Sequence, residues 1–468
     1  MPETNTFSLG YRKSLVGVVL AVQVLLGFLI IVSPVRYLAV VLLPIPLLII
    51  YRRPLLAYLL LIFFLPNYGI DLYKIAGTMD VSLLEPAVLV GLIGLCLAFV
   101  KDRELKIHVT GIELLLFLIY VWASCSILWS PDKARAFQQI IKISIGYVIY
   151  LLTTTMIKDR KDFDTVVGAW LVLIIIMGVV SIHETFGGGF GAAEHYIFTP
   201  GYDKIHKDVR TTALFEGADM VGFLTTFLII IFVAYLLFTP RGRFRTALYF
   251  GLPLALFMFM TAMARKSFLA MGGSVFFMVL FLPRGSSKQL VKYFFGTVAL
   301  IALVLFSLGT AGFLEALWER ISSFFMEPTE AARHRMEAWQ VGWVLFSRSP
   351  VIGNGLGSFY HAAVEAGSHL RFPHSFYFFI VTELGLIGFS LFLILVYQTG
   401  RKFLTLLRAT LVEEKKILTV GLMAGLVGIL VQMGFRSISL TEPTFWGFLG
   451  LASAYLKITT EELKGHTE

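Results

Sequence analysis

The sequence predicts an all-α polytopic membrane protein. Three observations carry that prediction. Apolar runs long enough to cross a bilayer recur along the chain, charge is scarce, and basic residues return at regular intervals between the runs. Of 468 residues, 57% are hydrophobic and only 15% are charged, and the mean hydropathy is +0.81. Soluble domains are about half apolar and do not gather those residues into such runs. The chain is therefore read as one transmembrane domain over 1–468, and counting domains by length does not apply.

A helix needs about 20 mostly apolar residues to cross the hydrocarbon core. On that basis spans fall near 14–33, 35–50, 54–66, 82–100, 110–130, 136–156, 164–184, 213–238, 246–264, 266–283, 290–310, 375–398, 417–434 and 444–457. Pro44, Pro46 and Pro54 interrupt the second and third, which could form one broken or re-entrant element. The total is thus about 12–14 transmembrane helices. Arg12 and Lys13 precede the first run without a small-residue cleavage site after it, so an uncleaved first helix is expected. Cys96 and Cys125 lie in apolar spans and read as small core residues.

Lys and Arg set the orientation. With the N-terminus cytoplasmic, every cytoplasmic segment is basic, from Arg52/Arg53 through Arg241/Arg243/Arg245 to Lys415/Lys416. Both termini then lie inside. Two outer loops are long, about 186–212 and 311–374. In the second, "LEALWERISSFF" and "RHRMEAWQVGWVLF" are amphipathic at helical spacing. Trp339 and Trp343 suggest interfacial anchoring. "PVIGNGLGSF" reads as a glycine-rich link and only weakly as a phosphate-cradling loop, because no strand precedes it.

Certain charges break the positive-inside pattern. "MTAMARKSFLAMGG" puts Arg265 and Lys266 at a tight outer turn. They could snorkel to the headgroups, or Arg265 could aim into an outward-facing cavity. Arg210 precedes a span that also holds Glu216 and Asp219, and it could pair with Glu216 or bind substrate. Arg333 and Arg335 lie in the second outer loop, Arg333 suiting a solvated face.

"FPHSFYFFIVTELGLIGF" places His374 after a proline that suits a helix start. The positive helix end and nearby arginines disfavour imidazolium, and a neutral histidine can accept a proton. Tyr377 would share its face. Glu383 lies about 2.5 turns further on and points the other way in a straight helix. It is expected to pair with a basic group on a neighbouring helix, admitted by Gly385 and Gly388. Arginines in an apolar setting suit a pyrophosphate, and a histidine beside them suits deprotonation of a hydroxyl.

These residues resemble the O-antigen ligase and O-antigen polymerase superfamily. The resemblance rests on "HSFYFFIVTELGLIGF", on "RMEAWQVGWVLFSRSPVIGNGLGSF" and on the short turn in "MARKSFLA". It covers about 210–389 well and the first seven spans in general character. The chain departs from the family pattern at Ala264, Lys266 and the "FEGAD" stretch.

The resemblance implies a GT-C-like helical membrane glycosyltransferase of the bacterial inner membrane, without cofactor or catalytic metal. The donor would be an undecaprenyl-pyrophosphate-linked glycan on the periplasmic face. The acceptor would be lipid A–core in a ligase or a second lipid-linked glycan in a polymerase. Membrane lipids are implied as partners and nucleic acid is not. Arg210 and Arg265 would hold the pyrophosphate, Arg335 would help bind substrate, and His374 would activate the acceptor hydroxyl. Lys266, Tyr377 and Glu383 are secondary or structural candidates. A transporter of lipid-linked sugars would show internal repeats and midplane sites. No repeat is evident, and the unusual charges gather at one face.

Overall fold

The computed structural model describes residues 53, 55–65, 71–75, 79–82, 84–101, 111–186, 217–262, 264–307, 330–365, 373–410, 412–435 and 440–465. The expected spans at 14–33 and 35–50, Arg210, Glu216 and the "LEALWERISSFF" segment lie outside them.

In chain order the helices are α1 (Leu55–Phe64), α2 (Leu84–Lys101), α3 (Gly111–Cys125), α4 (Lys133–Met156), α5 (Arg160–Phe186), α6 (Ala218–Phe238) and α7 (Arg243–Thr261). There follow α8 (Arg265–Phe281), α9 (Arg284–Ser307), α10 (Glu330–Arg348), α11 (Ser358–Glu365), α12 (Phe376–Ala409), α13 (Glu413–Phe435) and α14 (Pro443–Gly465). Seven are long and apolar enough to cross a bilayer. One short antiparallel hairpin, β1 (Asp71–Ile75) with β2 (Met79–Ser82), interrupts the helical pattern. Hydropathy does not reveal it, because it lies in the connection between the expected spans 54–66 and 82–100.

Helix α6 is the centre of the bundle, buried along nearly its whole length. Phe227 stacks on Phe448 of α14 with ring centroids 4.0 Å apart. The glycines of α13 bring it close to α6 and α8. A Cβ at Gly421 would press on Ala234, one at Gly425 on Phe227, and one at Gly428 on Ser274. Small residues at helix contacts do this in lipid, where no hydrophobic force draws helices together.

Several threonines inside the spans satisfy their hydroxyls locally. Thr225, Thr226 and Thr261 donate to the carbonyls of Val221, Gly222 and Phe257, four residues earlier, at 2.6, 2.6 and 2.9 Å. This removes the desolvation cost a lone hydroxyl would carry in hydrocarbon.

Cys96 and Cys125 correct an expectation. Both are exposed on the bundle surface rather than packed in the core. Within a span that surface meets lipid, which is as apolar as the core, so sequence polarity cannot separate the two positions.

The largest departure is α12, expected as one crossing over 375–398. Gly385 has φ +68° and ψ −169° and breaks it in two. The first half folds back along the second. Phe376 meets Phe392 with centroids 5.0 Å apart, whereas a straight helix would separate them by about 24 Å. His374 therefore does not mark the surface end of a span. It lies alongside the second half of α12.

Candidate active site

The broken helix is held open by the glycine-rich link, residues 349–357. Breaking a helix frees carbonyls before the break and N–H groups after it, and in a membrane each must find a partner. The Asn354 N–H donates to the Thr382 carbonyl at 3.0 Å and the Gly355 N–H to the Glu383 carbonyl at 2.9 Å. The Trp122 indole Nε1 of α3 donates to the Leu384 carbonyl at 2.9 Å. On the other side, the Leu386 and Ile387 N–H groups donate to the Pro350 and Val351 carbonyls at 2.9 and 3.2 Å. The Asn354 side-chain amide ties the link to both helices, donating to the carbonyls of Leu345 and Thr382.

Two glycines make this clamp possible. Gly353 and Gly385 both have positive φ, a conformation that costs other residues about 1–2 kcal/mol. A Cβ on either would also collide with the backbone of the other's segment. The link is thus a structural wedge and not a phosphate cradle.

Glu383 is 2% exposed. Its hydrogen bonds go to backbone N–H groups, while the expected basic group on a neighbouring helix, Arg135 of α4, acts on it through charge. One carboxylate oxygen accepts from the Gly357 N–H at 2.9 Å and the other from the Phe359 N–H at 3.2 Å. The carboxylate caps the first turn of α11, where helix N–H groups point outward and favour negative charge. Arg135 lies over the Tyr360 ring at 3.4 Å and completes that corner.

The chain before the break carries His374. Ser375 caps the helix by accepting from the Phe378 N–H, so His374 lies just outside the first turn. It is half-buried and has φ +53°. A histidine in the left-handed region is uncommon, and such backbone positions cluster at functional sites. Tyr377 is anchored on a neighbouring helix. Its hydroxyl donates to the Leu430 carbonyl of α13 at 2.7 Å.

The last turns of α13 also receive α8. The Ser267 hydroxyl donates to Gln432 Oε1 at 3.2 Å, which places Arg265, half-buried at the first position of α8, at the same end of the bundle. Lys266 does not simply snorkel. It forms an ion pair with Asp219 in the first turn of α6.

Arg335 arrives on α10, which packs beside the first half of α12. Trp339 stacks on Phe378 at 5.6 Å and 5° between planes, so it packs against protein and not only against the membrane interface. Trp343 is 62% exposed. Gly342 faces Phe378 and Thr382, so α10 and this half-helix run in the same direction. One turn before Trp339 is Arg335, and one turn before Phe378 is His374. The register therefore brings the half-buried Arg335 to the level of His374.

The helices of Arg265 and His374 thus meet the last turns of α13, and that of Arg335 packs beside the half-helix after His374, with Lys266 turned to Asp219 and Glu383 to α11. Sequence reasoning missed Trp122 and Asn354, which hold the break. The signal available for Asn354 was its place among alternating glycines. Trp122 carried none, because its partner is distant in the chain. Among the described residues no group of three or more His, Cys, Asp or Glu side chains is placed to hold a metal ion.

A search of curated proteins finds no match to the chain. A family model described as O-antigen ligase matches residues 250–393. That region runs from within α7 to the second half of α12 and contains Arg265, Arg335, His374, Glu383 and the glycine clamp. It is under a third of the chain and agrees with the segment that carries the sequence resemblance. By its apolar helices the chain is a multi-pass membrane protein, and over residues 250–393 it is similar to the O-antigen ligase family.

Proposed function

We propose that the protein is an inner-membrane glycosyltransferase that moves a glycan from undecaprenyl pyrophosphate to an acceptor hydroxyl at the periplasmic face, with lipid A–core as acceptor. Both termini would lie in the cytoplasm. One observation carries the reading. The O-antigen ligase match spans Arg265, Arg335 and His374, while the helices bearing Arg265 and His374 bond to the last turns of α13 and the helix bearing Arg335 packs on the half-helix that follows His374.

In this mechanism His374 takes the proton of the acceptor hydroxyl as its oxygen attacks the anomeric carbon. The bond from that carbon to the pyrophosphate oxygen breaks, and its electron pair leaves on the pyrophosphate. Arg265 holds the leaving group, joined by Arg210. Arg335 positions the donor or the acceptor beside His374. Attack opposite the pyrophosphate inverts the anomeric carbon. Pyrophosphate is already a good leaving group, so fixed positive charge contributes more than protonation.

The test is transfer by purified protein in proteoliposomes. Lipid-linked donor alone should remain unchanged, and adding lipid A–core should yield glycosylated lipid A–core. A ladder of longer glycans from donor alone would make it a polymerase. Accumulation of donor in the opposite leaflet without new glycosidic bonds would make it a transporter. Arg265→Lys should fail nearly as badly as Arg265→Ala, because an ammonium keeps the charge but loses the two-pronged grip. Full activity of the lysine variant at unchanged donor affinity would remove Arg265 from the site.

A further inference from the structure

A cleft lies at the end of α10 far from Arg335, beside the glycine-rich link. It has a volume of about 420 Å³ and is bounded by Trp129 and Pro131 in the turn after α3, Arg348 at the end of α10, Asn354 in the glycine-rich link, and His361 and Glu365 on α11. Small-molecule sites commonly measure about 300–1,000 Å³.

Its walls are fixed by contacts already needed for the fold. The Ser130 hydroxyl donates to the Leu356 carbonyl at 2.7 Å, and the Leu356 N–H donates to the Ser126 hydroxyl at 3.2 Å. These bonds join the α3–α4 turn to the glycine-rich link. Trp129 leans on Trp122 with centroids 5.5 Å apart, and Trp122 itself braces the break in α12. The cleft is therefore built on the same wedge that positions the half-helix of His374.

The lining is divided. Trp129 and Pro131 supply an apolar side. Planar polar groups supply the other: the exposed Arg348, the Asn354 amide oxygen, whose NH₂ is engaged by the Leu345 and Thr382 carbonyls, and the His361–Glu365 pair, whose Nε2 and Oε1 lie 3.2 Å apart. A sugar ring has the same division, with a C–H face that stacks on aromatic carbon and a rim of hydroxyls that pair with planar side chains. A pyrophosphate would meet the Glu365 carboxylate as well as Arg348, and a lipid tail would leave the polar wall unsatisfied.

We propose that this cleft is a glycan-binding subsite, holding sugar units of a neutral oligosaccharide a short way along the chain from its reacting end. This inference rests on the transfer reading above and adds a second point of contact to it. Arg348 lies about 20 Å beyond Arg335 along α10. A glycan reacting near His374 would therefore reach the cleft with units behind the first.

The experiment uses full-length protein in lipid nanodiscs and free oligosaccharides released by mild acid from the host's own polyprenyl-pyrophosphate glycans. Saturation-transfer NMR reports contact. Wild-type protein should saturate the glycan protons. Arg348→Ala and Glu365→Gln should each weaken Kd about tenfold, the scale of one lost charge-assisted hydrogen bond. Trp343→Ala, outside the cleft, should leave Kd unchanged. In transfer assays the two cleft variants should raise KM about tenfold for long-glycan donors, with kcat and the KM of a single-unit donor unchanged. No saturation in wild type, or equal affinity in both cleft variants, would overturn the subsite. Binding as expected without any transfer would uphold the subsite and sink the transferase reading. Normal transfer without binding would do the reverse.

Discussion

The two ends of α13 are built by different rules. At its first turns, charges close on one another. Arg160 at the start of α5 donates to Asp164 and to Glu414, both at 2.9 Å, and the Tyr235 hydroxyl of α6 also donates to Asp164. Lys415 reaches Glu462 of α14 at 2.6 Å. At the last turns α13 itself makes neutral contacts, Tyr377 to the Leu430 carbonyl and Ser267 to Gln432, and the ion pair at this end, Lys266 with Asp219, joins α8 to α6 instead. The first end uses opposite charges to fasten four helices. The second uses neutral hydrogen bonds to fasten helices that carry Arg265 and His374. This contrast can be tested from both sides.

The largest effect is expected at His374. Loss of a general base costs roughly 10²–10⁴ in rate, so His374→Ala should lose at least about a hundredfold in turnover while donor affinity stays near wild type. Initial rates and donor binding in one detergent measure both. Normal turnover would make this end of α13 as purely structural as the other.

Next comes Gly385→Ala. The left-handed backbone alone costs about 1–2 kcal/mol, and the new Cβ would collide with the Val351 carbonyl and the Gly353 N–H. Thermal unfolding should shift down sharply and yield should fall. A stable, active variant would show that the break in α12 does not depend on this glycine.

Glu383→Gln should also act on stability, by about 1.5–3 kcal/mol, the scale of hydrogen bonds to a charged group. One acceptor oxygen becomes an NH₂ facing a backbone N–H of α11, so a donor meets a donor. Turnover per folded molecule should stay near wild type. A loss of rate at unchanged stability would move Glu383 from the scaffold to the chemistry.

The smallest effect is expected from Arg160→Ala. Its partners Asp164 and Glu414 are 44% and 48% exposed, and such pairs contribute about 0.2–1 kcal/mol each. Turnover should be unchanged. A large fall in turnover would show that the two ends of α13 are coupled.

The sequence by itself determined the solvent of this protein and most of its helices. Spans such as 136–156, 213–238 and 417–434 appear as α4, α6 and α13 with ends shifted by a few residues, because a helix is the one local answer to an apolar run in lipid. It also singled out Arg265, Arg335 and His374, since charge and a titratable ring are conspicuous against hydrocarbon. The tertiary structure decided what those residues face. Gly385 reads as a packing glycine until the link at 349–357 is known to supply partners for the broken backbone. Glu383 reads as half of an ion pair until α11 presents its N–H groups. Lys266 reads as a snorkelling charge until Asp219 stands beside it. Each depends on a partner far away in the chain, and helical periodicity reports a residue's face but not what packs against it.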